Sequence, residues 1–171
     1  MAGLIAFFSR KDENYVNGMI KTLETGNTEA VARIIRELTG AELFKIEPMQ
    51  LYSKNYDECI AQAMADQKRK ARPELQCYPK DMGAYEVIYL GFPNYWGTMP
   101  MPVFTFLEHF DFTGKIIRPF CTHEGSGVGS SIADLKQLCP GAIVEAGLAI
   151  RGGSVQREKG TIEKWLRQGD N

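Results

Sequence analysis

Five short apolar runs, at residues 4–8, 41–46, 86–91, 115–122 and 142–150, alternate along this chain with segments of helical periodicity. Few folds accept that order. Each helical segment carries one apolar stripe: Val31, Ile34, Ile35 and Leu38 before Gly40; Tyr56, Ile60, Ala63, Met64 and Gln67; Val103, Phe106, Leu107 and Phe110 behind Pro100 and Pro102; Ile132, Leu135 and Leu138 before Pro140; Ile162, Trp165 and Leu166 within 161–168. A one-sided stripe has to be buried against another element. The alternation therefore predicts an α/β protein, a five-stranded parallel sheet with helices on both faces, joined by right-handed crossovers. At 171 residues the chain is expected to form one domain spanning 1–171. Pro119 sits awkwardly in the fourth strand, because an interior strand needs the donor that proline lacks.

Open α/β sheets bind ligands beyond the carboxyl ends of their strands, and three loops there carry suitable residues. The first strand ends in Ser9-Arg10, and Thr25-Gly26-Asn27-Thr28 opens the first helix. Unpaired amides and the dipole at a helix start attract a phosphate, Gly26 permits close approach, and the neighbouring hydroxyls and the Asn27 amide add donors. Ordinary capping chemistry explains the same four residues equally well. There is no Walker lysine and no three-glycine dinucleotide fingerprint. The third strand runs into Phe92-Pro93-Asn94-Tyr95-Trp96-Gly97-Thr98-Met99-Pro100, whose paired aromatics either face a ligand or cover a core edge. The fourth is followed by His123-Glu124-Gly125-Ser126-Gly127-Val128-Gly129, again rich in glycine and hydroxyls.

Between Arg10 and Thr25 lie fourteen residues containing Tyr15-Val16-Asn17-Gly18-Met19-Ile20. Asn-Gly between β-favouring pairs is a strong hairpin signal, so a small hairpin over 11–24 is expected. The basic run from Lys68 to Arg72 reads as a solvated helix end, or as a minor aid to an anionic substrate or partner. Phe104, off the buried stripe of its helix, is either incidental or a homodimer contact.

Charge separates the classes of partner. Twenty basic against twenty-one acidic residues leave a net charge of −1, which gives no field for nucleic acid or an anionic membrane. Cys59, Cys77, Cys121 and Cys139 lack Cys-x-x-Cys spacing, and two histidines are too few for a zinc cluster, so no metal is expected. The N-terminal run from Met1 to Phe8 has no basic leader and is too short for a signal or a span, so a reduced, cytoplasmic protein is expected.

Taken together, Thr25 to Glu29, Gly91 to Pro102 and Pro119 to Gly127 resemble the flavodoxin-like FMN proteins, in a branch of small bacterial flavoproteins. The resemblance implies a three-layer sandwich with sheet order 2-1-3-4-5 and FMN across its carboxyl end. Ser9, Arg10, Thr25, Gly26, Asn27 and Thr28 would take the phosphate. Pro93, Asn94, Tyr95, Trp96 and Gly97 would meet the isoalloxazine, and Thr122, His123, Glu124, Gly125, Ser126 and Gly127 its pyrimidine edge. The family's usual pattern runs from the hydroxyl and arginine straight into Thr-Gly-Asn-Thr. Here the insertion either rejoins at the same point, leaving the cradle intact, or lets residues such as Asn14 replace Thr25. The hairpin can also cover the flavin or meet a partner.

The functional expectation is electron transfer through bound FMN. Flavodoxin-type carriers that dock on proteins are typically strongly acidic, and this chain is not, so a flavin oxidoreductase acting on a small acceptor, of the NAD(P)H:quinone type, leads. The alternatives are a protein-to-protein carrier and a non-catalytic phosphometabolite-binding module. A hydrolase using Cys121 or Ser126 with His123 lacks a nucleophile elbow and an orienting acid. A phospho-receiver would need acids where Ser9 and Arg10 stand.

Overall fold

The structure, a computed structural model, describes residues 2–169; Met1, Asp170 and Asn171, the ends of the expected 1–171 domain, lie outside the described residues. The first apolar run forms β1 (Gly3–Phe7), and the next two strands are β2 (Asp12–Val16) and β3 (Met19–Leu23), followed by α1 (Asn27–Thr39) and β4 (Glu42–Lys45). Then come α2 (Tyr56–Lys68), β5 (Val87–Pro93), α3 (Met101–His109), β6 (Ile116–His123) and α4 (Ser131–Leu138). The chain closes with β7 (Ile143–Val144), β8 (Leu148–Arg151), a 3-10 stretch Gly152–Arg157 and α5 (Lys159–Gln168).

The main sheet has the order β4-β1-β5-β6-β7, every pair parallel, with β8 also pairing β6. Numbering only the five expected strands, this is 2-1-3-4-5, and the fifth is broken in two. The break explains Pro119. Lys115 and Ile117 accept from Ile143 and Glu145 on the fifth-strand side, so Pro119, of the same parity, turns its missing N–H to that side. There the chain is between β7 and β8: Ile117 pairs Val144, pairing resumes only at Phe120 with Leu148, and a Cβ on Gly147 would lie 3.5 Å from Pro119 Cγ. The proline sits where the ladder is already interrupted.

Side-chain alternation divides the core between the two faces. Leu4, Ala6, Ile88, Leu90, Ile117 and Cys121 pack with Val103, Phe106, Leu107 and Leu135 of α3 and α4. Ile5, Phe7, Phe120 and Ile150 pack with Val31, Ala32 and Ile35 of α1 and Ile162 and Trp165 of α5. On that second face Gly91 stands beside Phe120 in register, and a Cβ there would lie 2.2 Å from the ring, so the ring occupies the space that a side chain would take. Phe104 is partly buried, with the Arg72 guanidinium 5.1 Å over its ring.

The insertion is the expected hairpin. β2 and β3 pair antiparallel through Asn17 and Gly18, at φ +53° and +80°, the two left-handed residues of a type I′ turn. Among the described residues no helix is long and apolar enough to cross a membrane.

Candidate functional site

The carboxyl ends of β1, β5 and β6 open into a cleft of about 360 Å³. Of the seventeen sequence-predicted site residues, Ser9, Arg10, Asn27, Thr28, Pro93, Asn94, Tyr95, Trp96, Gly97, Thr122, His123, Glu124 and Ser126 line it. Thr25, Gly26, Gly125 and Gly127 do not line it. The three loops do converge.

At the first loop, α1 begins without a side-chain cap on Gly26; instead Ser9 Oγ accepts from the Glu29 amide at 3.1 Å. A Cβ on Gly26 would lie 2.2 Å from Ser9 Oγ and 2.7 Å from the Arg10 carbonyl oxygen. Glycine is therefore required by contact, and the contact shows that the chain leaving at Arg10 returns to it. The chain rejoins at the same point; Asn14 lines the cleft whereas Thr25 does not, and the Asn14 side-chain amide donates to the Arg10 carbonyl at 3.0 Å. No hydrogen-bond acceptor within the described residues meets the amides of Asn27 and Thr28. Two residues with free donors at the positive end of a helix thus line the cleft.

Two expected ligand groups are engaged with the protein itself. The Arg10 guanidinium donates to the carbonyls of Ser53 (2.8 and 3.1 Å), Lys54 (2.8 Å) and Glu13, which holds the hairpin base to the segment before α2. The Thr28 and Thr122 hydroxyls pair at 2.7 Å, tying the first loop to the third.

The second loop is a tight turn in which Tyr95 and Thr98 exchange backbone hydrogen bonds, with Trp96 at φ +53° and Gly97 at φ +89°. A tryptophan in the left-handed region is strained, and two bonds hold it there: its indole N–H donates to the Ile60 carbonyl (2.9 Å) and its own carbonyl accepts from Gln67 Nε2 (3.1 Å). Trp96 is 50% exposed at the cleft edge. Tyr95 points inward, edge-on to Phe8 and Tyr52, with its hydroxyl 3.9 Å from Cys59 Sγ, and burial pushes its phenol well above the ordinary value. Asn94 joins the second and third loops, donating to the Gly127 carbonyl and accepting from the Gly97 amide, each at 2.8 Å.

In the third loop His123 Nδ1 accepts from the Gly125 amide at 2.9 Å. Burial, and then the Arg151 cation, hold its pKa below the ordinary 6.5. Cys121 lies under the loop, buried, and burial pushes its thiol up to about 12. A neutral thiol at that depth is a core filler and not a nucleophile.

Residues that the sequence had not placed at a site complete the cleft. Tyr56, Cys59, Ile60 and Ala63 form one wall at i, i+3, i+4 and i+7 of α2, Tyr15 comes from the hairpin, and Gly152 from the stretch after β8. The α2 stripe was visible as periodicity, but periodicity does not say whether a stripe faces core or cleft. Among the described residues no cluster of His, Cys, Asp or Glu could hold a metal ion.

Residues 21–168 match the family model described as Flavodoxin. The chain belongs to the flavodoxin family. Among solved structures, this flavodoxin-family chain is similar to a candidate flavoprotein from Bacteroides eggerthii (25% identity, covering 98% of this chain and 96% of that one, TM-score 0.78). It is likewise similar to one from Bacteroides uniformis (26%, 97% of each chain, 0.74). A Lactobacillus acidophilus flavoprotein in complex with FMN shares the fold at 19% identity over 91% of this chain and 97% of that one, TM-score 0.61. No curated protein matches the chain.

Proposed function

We propose that this chain is a single-domain FMN protein that passes electrons through a noncovalently held flavin to a small acceptor. The observation that carries the reading is convergence: three loops, each singled out for a ligand, meet in one cleft at the carboxyl edge of a flavodoxin-family sheet. The residues present fit such a cofactor. Amides of Asn27 and Thr28 offer a phosphate site, Trp96 and Tyr56 offer apolar faces for a planar ring, and the volume lies within the range of small-molecule sites.

In this reading the start of α1, with Ser9 behind it, holds the phosphate, and the Arg10 charge acts from the rim while its donors hold the hairpin. Pro93 to Gly97 support one side of the ring, and the Thr122 to Gly127 loop borders its polar edge. When bound, FMN supplies the redox chemistry, and the protein supplies orientation, electrostatics and exclusion of water. Tyr95 stays neutral beneath the loop, so the floor of the cleft carries no phenolate charge. The small acceptor is favoured because Tyr15, Tyr56, Ile60 and Trp96 all line the cleft, an apolar lining suited to a flat organic molecule.

The test is an absorbance spectrum after addition of FMN and removal of the unbound fraction. Retained flavin bands that weaken in Trp96→Ala support the reading, and a colourless protein overturns it. Titration with NAD(P)H then distinguishes an oxidoreductase, which is reduced directly, from a carrier that responds only to dithionite.

A further inference from the structure

We propose that the hairpin β2-β3 is a clasp over the phosphate end of the cleft, latched by Glu124, that lifts to exchange FMN and excludes flavins extended beyond their phosphate. The proposal rests on the reading of the cleft as an FMN site. It concerns the fourteen-residue excursion between Arg10 and Thr25.

The hairpin is fastened at both ends, to different parts of the fold. At its base, Arg10 donates to the Glu13, Ser53 and Lys54 carbonyls, Glu13 N donates to the Lys54 carbonyl (3.2 Å), and Glu13 Oε1 accepts from the Tyr56 amide (3.2 Å). In its middle, Tyr15 stacks on Tyr56 with ring centroids 6.2 Å apart and planes at 27°. At its tip, the Glu124 carboxylate bridges two amides, accepting from Asn17 at 3.3 Å and from Gly153 at 3.1 Å. The Asn17 side chain is seated on Gly153, where a Cβ would lie 2.0 Å from Asn17 Oδ1. The start of α1 lies beneath this span, with Asn27 packed so closely on Gly152 that a Cβ there would lie 2.4 Å from Asn27 Nδ2.

Two consequences follow from the asymmetry. The base has many bonds and the tip one charged acceptor, while β3 is exposed along most of its length, so opening begins at the tip and pivots at Arg10. And because Asn14, which lines the cleft with Asn27 and Gly152, donates to the Arg10 carbonyl (3.0 Å) against which Gly26 is packed, the hairpin stands beside the start of α1, where a phosphate monoester would end. A pyrophosphate-linked adenylate would have to pass through the hairpin.

The experiment measures association and release of FMN by stopped-flow fluorescence, with FAD as the second probe, in the wild type, in Glu124→Ala and in a variant lacking residues 11–24. The deletion joins Arg10 to Thr25, and Gly26 already packs against Ser9 and Arg10. Loss of one hydrogen bond to a charged acceptor should speed lifting roughly ten-fold, so Glu124→Ala should accelerate both association and release by about that factor. The deletion should exchange FMN faster still and gain FAD binding that the wild type lacks. Acceleration of release alone would make Glu124 a ligand contact and overturn the clasp, as would unchanged rates or wild-type affinity for FAD equal to that for FMN. Should the deletion fail to fold, Gly153→Ala, which sets a methyl against Asn17, replaces it with the same kinetic expectation. A wild type that binds neither FMN nor FAD overturns the FMN reading itself; FMN retention with wild-type kinetics in all variants overturns only the clasp.

Discussion

The Thr28–Thr122 pair is the most exacting test of how the site is assembled. The two hydroxyls are 2.7 Å apart, the residues are 1% and 5% exposed, and they come from the first and third binding loops, ninety-four positions apart. Thr28→Val alone leaves the Thr122 hydroxyl buried without a partner, and Thr122→Val does the reverse. Each single substitution should cost about 1–3 kcal/mol, the penalty for an unmade buried hydrogen bond. Replacing both removes the two polar groups together with groups of the same shape, and should be nearly neutral. The double-mutant cycle therefore predicts a coupling equal to the sum of the two single losses, roughly 2–6 kcal/mol, large against the additivity error of distant sites. Equilibrium urea unfolding of the apoprotein, followed by circular dichroism and tryptophan fluorescence, gives all four corners of the cycle. In a chain of this length a loss of 2 kcal/mol should appear as a melting shift of about 4–8 °C. Additive singles, or singles within about 0.5 kcal/mol of the wild type, would refute the reasoning, because each hydroxyl would then have another partner such as water in the cleft.

Three further outcomes are expected. Gly91→Ala should be among the more damaging small substitutions, by about 3 kcal/mol in calorimetry or urea unfolding, because its methyl would meet the Phe120 ring at 2.2 Å inside a packed face; a loss under about 1 kcal/mol would show that the ring can yield. Burial raises the thiols of Cys121 and Cys139 from 9.0 to about 12 and about 11, so above pH 9 the unfolded chain releases protons that the folded chain keeps. Stability should fall as pH rises from 9 towards 12, and Cys121→Ala should flatten that fall; an unchanged alkaline limb in the variant would reject the assignment. His123, held below 6.5 by burial and then Arg151, should titrate by NMR under that value and move up in Arg151→Gln, whereas an ordinary midpoint in both would deny the cause.

What could be read in advance was whatever depends on local order. The strand and helix stripes, the Asn17-Gly18 turn and the 2-1-3-4-5 order followed from periodicity, turn chemistry and the likeness of three loops to one family. What could not be read was which polar group meets which. Arg10 is turned to carbonyls of residues more than forty positions away, and Thr28 to Thr122, so two side chains expected at the phosphate also tie distant loops of the protein together. Sequence names donors but not their acceptors. The α2 wall was hidden for a different reason, since Tyr56, Ile60 and Ala63 make the same stripe whether they cover a core or a cleft. Pro119 was legible as a problem, and its solution lay in the broken fifth strand, a feature with no local signature.

The insertion shows what the first loop of the cleft requires. A fourteen-residue excursion between strand and helix would be expected to displace the amides that make the site, yet Gly26 returns to within contact of Ser9 and Arg10. Closing such a loop is not expensive, because its entropy grows only with the logarithm of its length, and the hairpin adds its own ladder and the buried Val16 in return. The site therefore depends on where the chain comes back and not on its being continuous. Once the ends are fixed, the excursion is free to vary, and this one carries Tyr15, Met19 and Ile20 exposed by 45%, 61% and 49%, with Tyr15 among the residues that line the cleft. Apolar side chains on an otherwise solvated hairpin have a physical use if the hairpin faces the molecule that enters, so variation of 11–24 should change what reaches the cleft while leaving the sheet and the start of α1 as they are.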